Sequence, residues 1–180
     1  MDAFEHIVSE LLWMEGLWVR RSVKLELNAN EKRRFGSASA PRPEIDVLAY
    51  SGRDNLLRVV ECKSYLNSRG VTFDGVTGAD PKAASRYKLF WDERRREVVF
   101  EKLIHQLVEA GTCPADVKLR LCLACGNIAS ERDRSKLRSH FANMGWELWD
   151  ESWLRERLLK LAKSSYDNEV LAIAAKLIVG

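Results

Sequence analysis

Residues 43–63 have the sequence PEIDVLAYSGRDNLLRVVECK, in which two largely apolar runs flank a short polar segment. The polar segment, Ser51 to Asn55, contains Gly, Asp and Asn, and these residues tolerate the backbone angles that reverse a chain. The two apolar runs have the length and the β-branched content of strands. The pattern therefore predicts a β-hairpin.

The register of this hairpin determines which charged side chains meet. Pairing that is symmetric about the Arg53–Asp54 peptide bond places Asp46 opposite Glu61, and it places Glu44 opposite Lys63. Directly opposed residues have Cβ atoms about 4.5–5.5 Å apart. Residues two apart on one strand point to the same face. The hairpin therefore predicts one patch of four ionisable side chains.

The predicted pairing of two carboxylates suggests a metal site. Opposed carboxylates repel, so a hairpin selected for stability alone should not place Asp46 across from Glu61. A divalent cation removes the conflict, and carboxylate oxygens suit Mg²⁺, with Mn²⁺ as a substitute. Lys63 would then orient an attacking water or neutralise charge that develops on a phosphate. The alternative is a surface ion-pair cluster, which adds little stability.

Glu44-Ile45-Asp46 and Glu61-Cys62-Lys63, on consecutive strands after a helix, resemble the motif of the PD-(D/E)XK nuclease superfamily. The likeness is greatest to the Mrr-like restriction endonucleases and the Holliday-junction resolvases, and it spans roughly Phe4 to Gln106. Pro43 stands three positions before Asp46, so the literal Pro-Asp pair is absent, as it is in many members.

This resemblance implies an α/β fold with a restriction-endonuclease-like αβββαβ core. A central mixed β-sheet would be flanked by helices, and an extra strand and helices would follow at the C-terminus. It also implies a metal-dependent endonuclease that hydrolyses DNA phosphodiester bonds, with Asp46 and Glu61 as Mg²⁺ ligands and Lys63 as the catalytic lysine. Cys62, which separates Glu61 from Lys63, is included in the implied metal set.

The Mrr-like and resolvase branches also place a Glu near the start of the first helix, often after an aromatic residue. Phe4-Glu5 is similar, and Glu5 would hold the metal through water. Asp2-x-x-Glu5 also has the form of a helix-capping box, and both roles are compatible. Helical periodicity alone favours Glu15, which lies inside the apolar arc, while Glu10 lies outside it.

A further site residue follows from the same resemblance. In this superfamily a Gln on the helix after the third strand often faces the site, and Gln106 is similar. Gln106 flanks the apolar arc of its helix, and a Gln in such a position is also commonly just solvated.

The four cysteines include the pair Cys122-x-x-Cys125, which has the spacing of half a zinc site. No second pair completes it, and leucines alternate around Cys122. We therefore interpret this segment as a buried strand in which Cys is a small hydrophobic residue. Trp146, Trp149 and Trp153 are likewise interpreted as core residues rather than as a base-stacking surface.

The net charge of +3 is too small for nucleic-acid affinity to depend on overall charge, so local patches are needed. Three basic segments are candidates, and the first two are expected to contact phosphate. They are Lys32-Arg33-Arg34, Arg94-Arg95-Arg96, and the group Arg132, Arg134, Lys136 and Arg138. A charge run is otherwise usually a solvated face.

A chain of 180 residues is long enough to bury a core without disulfides. We expect a single domain over residues 1–180, with a core at about 2–125 and a C-terminal elaboration at about 126–180. The N-terminus lacks an apolar signal region and no run is long enough to span a membrane, so we expect no membrane partner and a cytoplasmic location.

Further elements follow from periodicity and from turn residues. We predict helices at Asp2–Gly16, Pro81–Trp91, Asp92–Ala110, Ser130–Met144, Ser152–Lys163 and Tyr166–Val179, strands at Trp18–Leu27, Val117–Ala124 and Trp146–Trp149, a loop at Asn28–Arg42, and an irregular segment at Ser64–Gly78.

Three alternatives stay open at this point. A catalytically inactive nucleic-acid-binding module would keep the fold without turnover, since fold alone does not establish function. An RNA-processing nuclease on the same fold is the second. The last helix has a wide apolar face that would pack either on the core or on a second copy in a homodimer.

Overall fold

The computed structural model describes residues 2–36, 42–163 and 169–179 of the chain. The strands in these ranges are β1 (Trp18–Lys24), β2 (Glu44–Ser51), β3 (Leu56–Lys63), β4 (Lys118–Cys125) and β5 (Glu147–Trp149). The helices are α1 (Ala3–Met14), α2 (Ala29–Arg34), α3 (Phe73–Val76), α4 (Pro81–Ala84), α5 (Lys88–Trp91), α6 (Glu93–Glu109), α7 (Glu131–Met144), α8 (Glu151–Ala162) and α9 (Val170–Val179).

The strands form one sheet in the order β1-β2-β3-β4-β5. The first three strands are antiparallel, whereas β4 runs parallel to β3 and β5 runs parallel to β4. The long helix α6 provides the crossover that a parallel β3–β4 pair requires. The predicted α/β class, with a mixed sheet flanked by helices, is confirmed.

The hairpin register agrees with the symmetric pairing predicted from the sequence. Val47 lies opposite Val60, and Ala49 lies opposite Arg58. The paired residues end at Val47 and Val60, so Asp46 and Glu61 follow directly beyond the last pair.

Two apolar cores cover the two faces of the sheet. One core packs α1, α8 and α9 against the sheet and includes Val8, Leu12 and Val60. The other packs α3, α5, α6 and α7 against the opposite face and includes Leu103 and Phe141. Because both faces are covered, the central strands carry apolar residues on both sides, as buried sheets do.

The prediction of a loop over residues 28–42 is wrong in part, because α2 lies within it. Asn28 caps this helix by accepting hydrogen bonds from the N–H groups of Asn30 and Glu31, and the Glu31 carboxylate accepts a hydrogen bond from the Asn28 N–H. This reciprocal capping box stabilises a helix with no buried residue. Residues 37–41 of the predicted loop lie outside the described ranges.

Other element boundaries also differ from the prediction. Residues 81–91 form α4 and α5 rather than one helix, because Tyr87, with φ −130° and a buried ring, breaks the helical path between them. Strand β1 ends at Lys24 rather than at Leu27, and α2 begins shortly afterwards at Ala29. The predicted start of the last helix, residues 166–168, lies outside the described residues.

The predicted buried strand around Cys122 is confirmed as β4. Cys122 packs into the core under α1, whereas Cys125 packs into the core under α6. Since residues three apart on a strand point to opposite faces, these two thiols do not converge on one point. The tryptophans pack as predicted: Trp149 is buried and stacks on Trp153 with ring centroids 4.7 Å apart, and Trp146 packs against Phe90.

No helix in the described ranges combines the length and the apolar character that crossing a membrane requires.

Candidate functional site

Four of the predicted site residues meet at the end of the hairpin opposite its turn. Asp46 is near the start of β2, while Glu61 and Lys63 are at the end of β3. Glu5 lies in the first turn of α1. The carboxyl end of the parallel strand β4 reaches the same edge of the sheet, where Cys125 pairs with Lys63.

Asp46 is held against β3 at the point where the regular pairing has ended. Its carboxylate Oδ2 accepts a hydrogen bond from the backbone N–H of Cys62 at 2.7 Å. Burial raises the pKa of Asp46, and this effect outweighs the hydrogen bond and the charge of Lys63, both of which lower it. Asp46 is therefore a positioned carboxylate in an environment that disfavours its charge.

Glu61 and Lys63 form a close ion pair on the same face of β3. Lys63 Nζ lies 2.5 Å from Glu61 Oε1, and each side chain is 18% exposed. Burial raises the pKa of Glu61, and the neighbouring charges of Asp46 and Glu5 add to this effect. The ammonium of Lys63 thus pairs with Glu61 and lies within the influence of the Asp46 charge.

The charge of Lys63 is stabilised by these neighbours. Burial lowers the pKa of its amine, but the charge of Glu61, the hydrogen bond to Glu61 and the charge of Asp46 together raise it above its ordinary value. Lys63 Nζ also donates to the backbone carbonyl of Cys62 at 3.2 Å. Lys63 is accordingly protonated at neutral pH, which makes it a donor and not a proton acceptor.

Glu5 is the first-helix glutamate that the structure brings to this cluster. Burial raises the pKa of Glu5, and the charge of Asp46 raises it further, outweighing the backbone N–H of Asp2. Glu15, which periodicity favoured, instead pairs with Arg157 of α8 at 2.5 Å. Glu10 is about one and a half turns beyond Glu5 along α1.

Sequence reasoning did not include Asp2 in the site. The Asp2 carboxylate caps α1 by accepting from the N–H groups of Phe4 and Glu5, and its charge raises the pKa of Asp46. Its capping pattern was visible in the sequence, but its proximity to Asp46 depends on how α1 packs on the sheet.

Gln106 has a different set of contacts. Its side-chain Oε1 accepts from the N–H of Glu26 at 2.8 Å, and its Nε2 donates to the carbonyl of Lys24 at 3.3 Å. Both ends of the amide therefore attach α6 to the chain at the end of β1. The four clustered residues do not include it.

Cys62 contributes its backbone, not its thiol. The thiol packs into the apolar core under α1, and burial raises its pKa far above the ordinary value, so the thiolate that metals bind is disfavoured. The Cys62 N–H donates to Asp46 and its carbonyl accepts from Lys63. These two groups help to orient Asp46 on the neighbouring strand and Lys63 on the same strand.

The donor set fits a hard divalent cation. Within the described ranges no group of three or more His, Cys, Asp or Glu residues is arranged to hold a metal ion. Mg²⁺ does not need such a group, since one or two carboxylates usually hold it while water and substrate phosphates complete its octahedron. Asp46 and Glu61 supply two carboxylates, and with Glu5 they outnumber the single ammonium of Lys63. The residues present therefore fit Mg²⁺.

The basic segments are largely engaged within the protein. Arg34 pairs with Glu101 at 2.8 Å, and Arg95 lies over the ring of Phe35. Arg96 donates to the backbone carbonyls of Leu89 and Phe90. In the third segment, Arg134 and Arg138 both donate to Asp150 at 2.8 Å. Phosphate contacts by the first two segments stay a prediction.

Comparison with protein-family models, with curated proteins and with solved structures found no match to this chain. The functional interpretation therefore depends on the residues of the site and on their geometry.

Proposed function

We propose that this protein is a Mg²⁺-dependent nuclease of the PD-(D/E)XK type that hydrolyses phosphodiester bonds in DNA. One observation carries the proposal: Asp46, Glu61 and Lys63, which match the superfamily motif in sequence, converge at one end of the sheet with two carboxylates around one ammonium. The order of a helix, three antiparallel strands, a helix and a parallel strand supports it.

The roles of the residues follow from their environments. Asp46 and Glu61 would hold the metal, and Glu5 would reach it through water. Mg²⁺ bound there would supply a lowered pKa for water and stabilisation of negative charge on the phosphate. Lys63, whose ammonium pairs with Glu61, would orient the attacking water or neutralise charge that develops on the phosphate.

A surface ion-pair cluster explains the site less well. Exposed pairs add little stability, and a cluster that served stability would balance its charges. Here burial and neighbouring carboxylates raise the pKa values of Asp46 and Glu61, so the cluster opposes its own ionisation. A cluster of carboxylates whose ionisation is unfavourable without a cation, and becomes favourable when a cation binds, is typical of a functional site.

The test is the cleavage of supercoiled plasmid by the purified protein with Mg²⁺, Mn²⁺ or EDTA. We expect nicking with either metal and none in EDTA. Lys63→Ala should reduce the rate at least about 100-fold, the size of effect expected for a positioned charge at the reacting phosphate. Lys63→Met, which keeps the aliphatic stem, should lose activity equally while retaining the wild-type circular dichroism spectrum.

Lys118→Ala is the matched control, because Lys118 is an exposed lysine at the opposite end of the same sheet. It should cleave at the wild-type rate. Wild-type turnover by Lys63→Met would overturn the assignment. DNA binding without cleavage would favour the inactive binding module, and cleavage of RNA alone would favour the RNA-processing nuclease.

A further inference from the structure

Tyr65, two residues after Lys63, has an unusual backbone conformation. Its φ is 43°, in the left-handed region that bulky side chains rarely occupy. Such strain persists only where the surrounding structure imposes it, and it concentrates at ligand clamps and active sites. The conformation of Tyr65 is therefore imposed by the residues around it.

The chain around Tyr65 is held by the loop that follows β4. The Gly126 N–H donates to the carbonyl of Lys63 at 3.0 Å, and the Asn127 side chain donates to the carbonyl of Ser68 at 3.1 Å. A Cβ atom at Gly126 would lie 2.2 Å from the carbonyl oxygen of Ser64, so the two backbones approach as closely as only glycine permits. The tyrosine is thus fixed in place.

Tyr65 presents its hydroxyl group to an exposed arginine. Arg86 Nη1 donates to Tyr65 Oη at 3.4 Å, while the tyrosine ring packs on the core under α6. Across the described part of the chain, Arg86 has no carboxylate partner, in contrast to Arg34 and Arg134. Because a guanidinium has five N–H donors and the Tyr65 hydroxyl accepts one of them, most donors of Arg86 are available for a ligand.

Arg86 is connected to the end of β3 through Tyr65. The Cα atoms of Lys63 and Tyr65 are at most about 7 Å apart, because two residues span no more than that. The Tyr65 ring packs on the core under α6, and that core also contains Cys125, the residue that pairs with Lys63. Tyr65 therefore links the chain segment that follows Lys63 to the guanidinium of Arg86.

We propose that Arg86, oriented by the hydroxyl of Tyr65, binds a backbone phosphate of the DNA strand adjacent to the phosphate that reacts at Lys63. The inference rests on the proposed nuclease function. The planar guanidinium pairs with phosphate through two parallel N–H donors, which gives both affinity and orientation. Backbone phosphate contacts fix the register of a nucleic acid without reading its sequence. Arg86 would therefore set which bond lies at the metal.

The test compares Arg86→Gln, Tyr65→Phe and the control Arg53→Gln with the wild-type protein. Arg53 is an exposed arginine in the hairpin turn, at the end of the sheet away from the site. We measure kcat and KM on a labelled duplex with Mg²⁺, and the dependence of duplex affinity on salt in EDTA.

Arg86→Gln should raise KM about tenfold with little change in kcat, the effect of losing one charged hydrogen-bonding contact. The slope of log affinity against log salt should decrease in magnitude by about one, as expected for one phosphate contact. Tyr65→Phe keeps the ring packing, so it should raise KM by a smaller factor and leave the salt slope nearly unchanged. Arg53→Gln should match the wild type in every measurement.

Equal KM and equal salt slopes for wild type and Arg86→Gln, with active wild-type enzyme, would overturn this assignment and leave the nuclease function standing. A fall in kcat without a change in KM would also overturn it, because it would place Arg86 in the chemistry instead of in strand binding. Failure of the wild type both to bind and to cleave DNA would overturn the two proposals together.

Discussion

At the scale of single residues, the position of Lys63 depends on a glycine outside its own strand. Gly126 donates its N–H to the Lys63 carbonyl, and a Cβ there would meet the carbonyl oxygen of Ser64 at 2.2 Å and the side chain of Leu66 at 2.7 Å. The closest of these atoms belongs to the backbone, so it cannot move aside without displacing the end of β3.

We therefore expect Gly126→Ala to lower the free energy of unfolding by about 1–3 kcal/mol, the usual cost of overpacking. Cleavage should fall as well, because the displaced segment includes Lys63. Chemical denaturation and plasmid nicking measure the two effects. Gly52→Ala is the matched control, since its nearest neighbour is a Tyr50 side-chain atom at an ordinary 3.9 Å. Equal stability of the two variants would contradict the close approach.

The choice among the first-helix glutamates shows what single-residue patterns reveal and what they miss. Periodicity along α1 favoured Glu15, because it lies within the apolar arc. The structure pairs Glu15 with Arg157, which lies 142 residues away in sequence, and brings Glu5 to Asp46. No local pattern contains a contact of that range, so the sequence supplied candidates and tertiary packing selected one.

At the scale of elements, Asp150 joins α7 to α8. Its carboxylate caps α8 by accepting from the N–H groups of Ser152 and Trp153, and it also accepts from Arg134 and Arg138. Burial raises the pKa of this carboxyl, but the hydrogen bonds from Arg138, Trp153 and Arg134 outweigh burial and leave the pKa below its ordinary value. The charged form is therefore the one that the fold stabilises.

A carboxyl group with a folded-state pKa below its unfolded value stabilises the protein at pH values above the unfolded pKa, near 3.9 for Asp. That contribution is lost as pH falls through the folded pKa. We expect Asp150→Ala to lower unfolding free energy by about 2–3 kcal/mol at pH 7, since both a cap and buried charged hydrogen bonds disappear.

The difference between wild type and Asp150→Ala should shrink as the pH falls below about 4, in urea denaturation measured at several pH values. Asp116→Ala, at an exposed aspartate with no ion pair within the described ranges, should change stability little at any pH. A pH-independent difference for Asp150→Ala would show that its charge does not carry the effect.

The elements that the sequence predicted well share strong periodicity and clear turns. The hairpin and its register followed from two apolar runs about a five-residue turn, and β4 followed from alternating leucines. The four short helices α2 to α5 were missed or merged, because four to six residues are too few to show a helical period. Their positions depend on caps such as Asn28 and on buried residues such as Tyr87.

At the scale of the whole molecule, α9 lies with one side on α8 and one side open. Ala172 and Ala175 are buried, whereas Val170, Leu177 and Ile178 are each at least 80% exposed. The inner side packs on the core, as one of the two interpretations predicted, and the homodimer stays a prediction.

The carboxylate cluster makes the stability of the whole fold depend on pH. Burial raises the folded-state pKa values of Asp46 and Glu61 above their unfolded values, so their ionisation opposes folding. The stabilisation that these groups give when protonated is present below the unfolded pKa and is lost as pH rises through the folded pKa. In EDTA, the contribution of these two groups to stability should therefore decrease as the pH rises from about 4 toward neutrality.

Mg²⁺ should reverse this loss by binding the folded state alone. Mass action predicts about 2.7 kcal/mol of added stability at a concentration one hundred times Kd, visible in calorimetry as a Tm that rises with Mg²⁺.

Asp46→Asn should raise Tm in EDTA, because the amide carries no charge and its oxygen still accepts from the Cys62 N–H. The same variant should lose most of the Mg²⁺ response. Asp54→Asn, in the exposed hairpin turn, should keep the wild-type behaviour. A full Mg²⁺ response in Asp46→Asn would exclude Asp46 as a ligand, whereas a lower Tm in EDTA would mean that its charge stabilises the fold and that the cluster is a structural ion-pair network.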